Sequence, residues 1–313
     1  RFMNIRPIRL TAAILLLLVC LPTALFAQSA TRENYLERYN SLVSKVGADG
    51  LGVESLLNHW EADYPDDIDM LLARFSFYYA KSQSTSVEII DKDKYLGAGP
   101  ALTLKDSLGN NVNYFTVTSF DDEVFGMAMK AVDRASELAP ERLDIRFCKI
   151  SALIAYEKES PDMALSAIRS LVDYNFRSKP SWEYPGLEMD ADLFDSSIQE
   201  YCYTFFNMAT PEGYEAFREL SEQMLSYRPE SHCFLTNLGS YMFVVKHDSK
   251  AALKCYNKVL KKHPDDYPTI RNCVILARTS KDVKLEKKYL RMLLEVTDDP
   301  TEQASAKVRL ENL

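Results

Sequence analysis

Residues 235–264 read LTNLGSYMFVVKHDSKAALKCYNKVLKKHP and contain two amphipathic segments separated by a polar turn. Small and apolar residues recur every three or four positions in both segments, as they do along one face of a helix. They are Leu235, Leu238, Gly239 and Met242 in the first segment and Ala252, Tyr256 and Val259 in the second. Pro264 ends the pair, and Pro229 and Pro300 stand 35 residues before it and 36 residues after it. A period near 34 residues predicts an array of helix-turn-helix units.

The segment resembles a tetratricopeptide repeat, in which a small residue at the eighth position, here Gly239, lets the two helices approach closely. Degenerate copies surround it. Their matching positions are Leu72, Phe75, Ser76 and Tyr79 with Ala128, Val132 and Ala135; Phe147, Ile150, Ser151 and Ile154 with Ala164, Ile168 and Leu171; Ile198, Tyr201, Cys202 and Phe205 with Ala216 and Leu220; Ile270, Cys273, Val274 and Ala277 with Leu285, Tyr289 and Leu293.

Residues 33–62, with Leu57 and Trp60 on the buried side, add an opening helix pair, and residues 301–312 add a polar capping helix. We therefore predict an all-α protein: a right-handed α-solenoid of about six helix-turn-helix repeats over residues 31–313. In this respect the chain resembles secreted Bacteroidota-type tetratricopeptide repeat proteins.

Two stretches interrupt the repeats. The first contains VEII, ALTL and VNYFTVTS, which are rich in β-branched and aromatic residues, and the turn KDSLGNN with Gly109. It predicts a small β-hairpin insertion of two or three strands near residues 85–119. The second, around residues 176–194, has no periodicity, and its Pro180, Pro185 and Gly186 predict a loop insertion.

The amino-terminal sequence predicts export. Arg6 and Arg9 precede the apolar stretch LTAAILLLLVCLPTALFA, which ends at Ala27. A basic start, an apolar middle and a small residue at the exit are typical of a cleaved signal peptide, here residues 1–27. The mature protein would then be periplasmic, secreted or associated with the cell envelope. The alternative is that the segment is not cleaved and anchors the protein as its sole contact with the membrane. A lipoprotein signal is disfavoured because Val19, and not a small residue, precedes Cys20.

Composition excludes several classes of protein. The chain is 47% hydrophobic and 26% charged, so it is a folded protein rather than a disordered one. Its net charge of −8 argues against binding to nucleic acid. The five cysteines that follow the signal are widely spaced and odd in number, which favours buried thiols but leaves one or two disulfides open. They are Cys148, Cys202, Cys233, Cys255 and Cys273.

Motifs for chemistry are missing from the sequence. None of the histidines lies in a nucleophile motif, and His232, Cys233, His247 and Cys255 do not have the spacing of a zinc site. We therefore predict a protein that is not an enzyme and that uses neither a cofactor nor a metal.

Binding residues are predicted from the resemblance, because tetratricopeptide repeat proteins hold peptides or partner helices on the concave face formed by the first helix of each unit. The matching positions here are Met70, Phe77, Tyr156, Gln199, Tyr203, Asn207, Phe243, Arg271 and Arg278. Trp182 and Tyr184 are further candidates, as an aromatic pair in a loop.

The predicted function is that of an exported, non-enzymatic scaffold that binds a segment of a protein partner on this face, with an envelope complex as one setting. The alternative is a cell-surface or periplasmic accessory protein that binds a glycan or nutrient, because the starch-utilisation lipoproteins also use helical repeats.

Overall fold

A computed structural model of the chain describes residues 31–189 and 192–313. The predicted signal peptide, residues 1–27, lies outside the described residues. Two compact units are present. Unit 1 comprises residues up to Gln83 together with Asp121–Ala139, and unit 2 comprises Ser84–Phe120 together with Pro140–Leu313.

Thirteen α-helices and three strands occupy the described residues. The helices are α1 (Arg32–Val46), α2 (Val53–Asp63), α3 (Ile68–Ser82), α4 (Asp122–Leu138), α5 (Leu143–Glu157), α6 (Asp162–Ser178), α7 (Leu193–Asn207), α8 (Pro211–Tyr227), α9 (His232–Val244), α10 (Ser249–Leu260), α11 (Tyr267–Thr279), α12 (Val283–Val296) and α13 (Pro300–Glu311). The strands are β1 (Gln83–Ile89), β2 (Leu102–Lys105) and β3 (Asn111–Phe120).

Consecutive helices pack in pairs, as the repeat pattern predicts. In unit 1, α1 packs on α2 and α3 on α4. In unit 2 the pairs are α5 with α6, α7 with α8, α9 with α10 and α11 with α12, and α13 packs on α12 at the end. The prediction of a mostly helical repeat fold with a terminal capping helix is confirmed.

Gly239 allows a close approach between α9 and α10. A Cβ atom at this position would lie 2.4 Å from Cε1 of Tyr256, which is buried in α10. That distance is far below van der Waals contact, so a larger residue would force the helices apart. The small residue predicted at the eighth repeat position is therefore required by packing.

Aspartates fix the starts of the last four helices. The carboxylate of Asp266 accepts a hydrogen bond from the backbone N–H of Thr269, and that of Asp282 accepts one from Leu285. Asp248 and Asp299 cap α10 and α13 in the same way. These bonds satisfy N–H groups that the first turn of a helix leaves unpaired. Pro300 follows its cap at the first helical position, where the missing N–H does no harm.

Each unit has its own apolar core. In unit 1, Trp60 is fully buried, stacks on Tyr35 and donates its indole N–H to Asp67 (3.1 Å). In unit 2, Tyr256 and Tyr289 lie in a cluster that extends from α10 to α13. These buried aromatic residues thus pack between the helices, as their repeat positions predict.

The first interruption of the repeats is a three-stranded antiparallel sheet, with strand order β1-β3-β2. Leu102 lies opposite Tyr114, and Leu104 lies opposite Val112. At the β2–β3 turn the Asp106 carboxylate accepts hydrogen bonds from the backbone N–H groups of Leu108 and Asn110. The sheet confirms the predicted β insertion, which has three strands rather than two.

The insertion leaves and re-enters the helices at one point. The backbone N–H of Asp121, which caps α4, donates to the carbonyl oxygen of Ser82 at the end of α3 (2.8 Å). Because the two ends of the insertion meet there, α3 and α4 pack as an ordinary pair despite the 39 residues between them.

The second interruption lies between α6 and α7. Glu183 fastens it to the start of α5: its N–H donates to the carbonyl oxygen of Glu141 (2.8 Å), and its carbonyl oxygen accepts from Leu143 (3.0 Å). These two bonds hold the loop in a defined path within unit 2.

The five cysteines of the described residues are free thiols. Cys202 and Cys273 are buried, and burial raises the pKa of each thiol to about 12. Cys148 is exposed. Within residues 31–189 and 192–313, none of the helices is long and apolar enough to span a bilayer.

Candidate partner-binding groove

The first helices of three successive pairs, α7, α9 and α11, together line a cavity of about 370 Å³ in unit 2. We call it the amide groove. Most of its exposed lining is apolar, and polar side chains and aromatic rings both contribute to its walls. They include Gln199 and Tyr203 from α7, Thr236, Asn237 and Ser240 from α9, and Pro268 and Asn272 from α11.

Amide side chains connect α7 to α9 across the groove. Gln199 donates from Nε2 to Oδ1 of Asn237 (3.0 Å), and Asn237 donates from Nδ2 to Oε1 of Gln199 (2.8 Å). The second Nδ2 hydrogen of Asn237 is directed to Oγ of Ser221 (3.1 Å). An amide oxygen accepts two hydrogen bonds and an amide nitrogen donates two. Gln199 therefore retains a donor and an acceptor that can serve a ligand.

A second polar connection joins α9 to α11. Asn272 donates from Nδ2 to Oγ of Ser240 (3.3 Å), and the hydroxyl groups of Thr236 and Thr269 share a buried hydrogen bond of 2.5 Å. These contacts set the spacing of the two helices and present the Asn272 amide to the groove. Tyr203, on the α7 side, has 61% of its surface exposed.

His232 and Asp266 lie together at the amide groove. Nδ1 of His232 lies 2.6 Å from Oδ2 of Asp266, which also caps α11. The rings of His232 and His263 lie 5.0 Å apart. In the described part of the chain, no three His, Cys, Asp or Glu side chains are grouped as metal ligands would be.

A neighbouring groove of about 710 Å³ lies between α11 and α13, and we call it the arginine groove. Three guanidinium groups line it, from Arg271, Arg278 and Arg309, and its floor is apolar, with Val274 among its residues. Because α11 contributes to both grooves, the two are adjacent surfaces of unit 2.

Two carboxylates hold the arginines. Nε of Arg278 lies 2.9 Å and Nε of Arg309 lies 2.8 Å from Oε1 of Glu286, which is almost fully buried. The hydrogen bond from Arg309 keeps the pKa of Glu286 below its usual value, against the opposing effect of burial. Arg271 reaches Glu302 at 3.4 Å. Three cations against two anions leave this groove positive in a chain of net charge −8.

Four of the predicted binding residues lie in these grooves. Gln199 and Tyr203 line the amide groove, and Arg271 and Arg278 line the arginine groove. Phe243 is half-buried instead and packs against the core cluster of α10 to α13. Asn207 is the last residue of α7, and its backbone lies close to Gly97. A Cβ atom at Gly97 would be only 2.7 Å from the carbonyl oxygen of Asn207.

The remaining predicted residues of the helices have packing partners. Met70 and Phe77 are buried in unit 1, with 0% and 2% of their surface exposed, so neither is offered to a partner in this structure. Tyr156, in unit 2, is half-buried, and its ring lies edge-on to Phe120 at 5.7 Å.

The loop aromatics are also packed. The Trp182 ring stacks parallel to Phe194 with centroids 6.4 Å apart, and its Nε1 donates to Asn175 (2.9 Å). The guanidinium of Arg146 lies 5.5 Å from the same ring. Tyr184 contacts Phe147 at 6.4 Å between centroids. Contacts of this kind fasten the loop to the helices and occupy much of both rings.

Sequence reasoning missed Asn237, Asn272 and Arg309. A signal was available for the asparagines, because they stand 35 residues apart, which is one repeat period, within otherwise apolar helices. Arg309 was hidden in α13, which the sequence marks only as a polar cap. Its role depends on Glu286, 23 residues away, and no local pattern connects the two.

No protein-family model matches the chain, and no curated protein matches it. Among solved structures, the chain is similar to the flexible tandem repeat domain of one of the subunits of bacterial cellulose synthase. The identity is 15%, the alignment covers 83% of this chain and 88% of that chain, and the TM-score is 0.24. This similarity is too low to support an inference about the chain. The assignment as a helical repeat protein is supported by the helix pairs described above.

Proposed function

We propose that the chain is an exported protein-binding scaffold of the tetratricopeptide type, and that its amide groove binds an extended segment of another protein. The observation that carries the proposal is the convergence of three first helices on one largely apolar cavity, in which amide and hydroxyl groups lie among aromatic rings and beside an exposed tyrosine. An extended segment presents a backbone N–H and a carbonyl at every residue. Asparagine and glutamine side chains match both groups.

The arginine groove supports a preference for acidic residues in the bound segment. Arg271 and Arg278 have more than half of their side-chain surface exposed although each contacts a carboxylate. A guanidinium has five N–H donors, so each can bind a further carboxylate while it keeps its present partner. A segment that crosses α11 would meet the amides first and the arginines next.

Glycan binding is the competing function. It usually needs an aromatic ring with an open face, and Trp182 is the loop residue that the sequence nominates. The packing of Trp182 on Phe194 and beneath Arg146 favours a structural role for it. The apolar stretch that precedes residue 28 supports the proposal of export.

The test is site-specific photo-crosslinking in cells that produce the protein. A photoreactive amino acid replaces Tyr203 in the amide groove or, as the control, Met163, which is exposed on the second helix α6. We expect a defined protein adduct from position 203 and none from position 163. Mass spectrometry of the adduct identifies the crosslinked segment.

Affinity for that segment, made as a synthetic peptide, then tests the groove directly. Tyr203→Ala should weaken binding at least about tenfold, as truncation of an interfacial aromatic does, and Met163→Ala should leave it unchanged. Equal adducts from both positions would contradict the proposal. So would saccharide binding on a glycan array that Trp182→Ala removes, which would favour the competing function.

A further inference from the structure

One face of the three-stranded sheet is apolar and open to solvent. Side chains of a strand alternate between the two faces, so the residues that share a face follow from the register of the strands. The open face carries Val87 and Ile89 of β1, Leu102 and Leu104 of β2, and Val112 and Tyr114 of β3.

These side chains lie in rows across the sheet. Leu102 is opposite Tyr114, and the hydrogen bond from the backbone N–H of Ile90 to the carbonyl oxygen of Asn113 places Ile89 on the other side of that tyrosine. Val87 and Ile89 have 66% and 65% of their surface exposed, and Leu102 has 51%. Exposed aliphatic rows of this kind on a folded protein mark a surface that binds something.

The opposite face is already covered. Phe115 on that face is buried, and the ring of Tyr95, from the loop of residues 90–101, lies edge-on to it at 6.0 Å. Asn113 fastens the same loop by donating from Nδ2 to the carbonyl oxygen of Lys92 (2.9 Å). The sheet therefore has one face packed within unit 2 and one face that is apolar and largely open to solvent.

We propose that this open face is the contact surface between two copies of the chain, related by a twofold axis. The open face carries no charged side chain of the strands, so two copies can pair on it without repulsion. The charged residues of the strands, Glu88 and Lys105, alternate to the opposite face, so a twofold pairing brings no like charges together. A membrane surface fits less well, since a chain of net charge −8 is repelled by anionic lipid.

The area available agrees with a weak dimer. Strands of seven, four and ten residues, spaced about 4.8 Å apart and packed face to face, would bury about 1,000 Å² in total, the lower limit for a specific interface. Interfaces of that size are typical of reversible dimers. The proposal is independent of the amide groove, which is built from helices α7, α9 and α11.

Sedimentation velocity over a wide range of concentration, up to about 100 µM, tests the proposal on the purified protein. We expect a reversible monomer–dimer equilibrium in the unmodified protein. The double variant Ile89→Lys, Leu102→Lys places two ammonium groups per copy on the open face. It should raise the dissociation constant at least about 100-fold, because each charge would be buried without a partner.

Leu51→Lys is the matched control, since Leu51 is 94% exposed in unit 1 and is not on the sheet. It should leave the equilibrium unchanged. Circular dichroism and the thermal midpoint verify that the variants remain folded. A protein that is monomeric at every concentration would overturn the proposal, as would a double variant that dimerises like the parent. Binding of neutral lipid vesicles by a monomeric parent would assign the face to a membrane instead.

If the double lysine variant does not fold, a crosslinking experiment tests the proposal instead. Thr116→Cys, an exposed position on the central strand, is introduced with Cys148→Ser, which removes the exposed native thiol. A short bis-maleimide should then give a covalent dimer in good yield, and the Cys148→Ser parent should give none. An equal lack of dimer in both proteins would overturn the proposal.

Discussion

The helical units α9–α12 and the inserted sheet use apolar residues in opposite ways. In the helices, large side chains such as Tyr256 and Leu276 are 1% exposed. In the sheet, Val87 and Ile89 are about two-thirds exposed although they are as apolar as any residue of the helices. Both regions obey their local pattern, with a period near 3.6 in one and 2 in the other. Apolar periodicity thus identifies a face but does not say whether that face is covered.

The physical reason is the number of neighbours. A helix pair inside an array has another pair on each side, so its apolar positions are enclosed from both directions. The sheet is a single inserted element. Its Phe115 face is covered by the loop that carries Tyr95, and nothing in the described part of the chain covers the face with Val87 and Ile89.

The same substitution in the two regions should therefore have very different effects. Leu276→Ala, in α11, removes a buried side chain and should lower the free energy of unfolding by about 2–4 kcal/mol, through lost burial and the cavity that remains. Leu102→Ala, in β2, should change it by less than about 0.5 kcal/mol. Urea unfolding measures both, at a concentration low enough to keep the protein monomeric.

Equal losses from the two leucine variants would contradict the comparison, because they would require the sheet face to be covered within one chain. Hydrogen exchange of the α11 and β3 amides provides a local measurement, which matters because arrays of repeats can unfold in parts.

The second prediction concerns how tightly the helices of a pair are packed. Gly239→Ala adds a methyl group 2.4 Å from the Tyr256 ring and should destabilise the protein by about 1–2 kcal/mol. That net figure includes the better helix propensity of alanine, which alone would stabilise by about 1 kcal/mol. Thermal unfolding followed by circular dichroism measures the change.

Gly126 supplies the matched control. It also lies within a helix, α4, but a Cβ atom there meets nothing within 4 Å. Gly126→Ala should therefore stabilise the protein, by up to about 1 kcal/mol. If both variants shifted the midpoint in the same direction, the close approach at Gly239 would not be the cause.

Much of the fold could be predicted from the sequence, because its determinants are local. The spacing of Leu235, Gly239 and Tyr256 defines a helix pair, and the β-branched run before Asp121 defines strands. The pairing of α3 with α4 could also be predicted, because each helix carries its own repeat positions. The hydrogen bond between Asp121 and Ser82, which joins the two ends of the insertion, is visible only in the structure.

The candidate site was less predictable, because it depends on contacts between units. Repeat positions in α7 and α11 place Gln199 and Arg271 in the two grooves, yet the same positions in α3 place Met70 in a core. Whether a first-helix residue is exposed depends on which side chains from neighbouring elements reach it. The sequence of one unit does not contain that information.

The smallest expected effect lies at the end of the array, where a buried carboxylate takes the place of an apolar side chain. Arg309 and Arg278 hold the pKa of Glu286 below its usual 4.5, so the ionised form stabilises the folded state above that pH, and this contribution is lost as the pH falls through the lowered pKa. Glu286→Gln should therefore reduce stability by about 1 kcal/mol at pH 7 and by progressively less below about pH 4.5. Glu295→Gln, at an exposed position of the same helix, is the control, and thermal midpoints at a series of pH values provide the measurement. A difference between parent and Glu286→Gln that stayed constant down to pH 3 would mean that the packing of this side chain, and not its charge, holds α13 on α12.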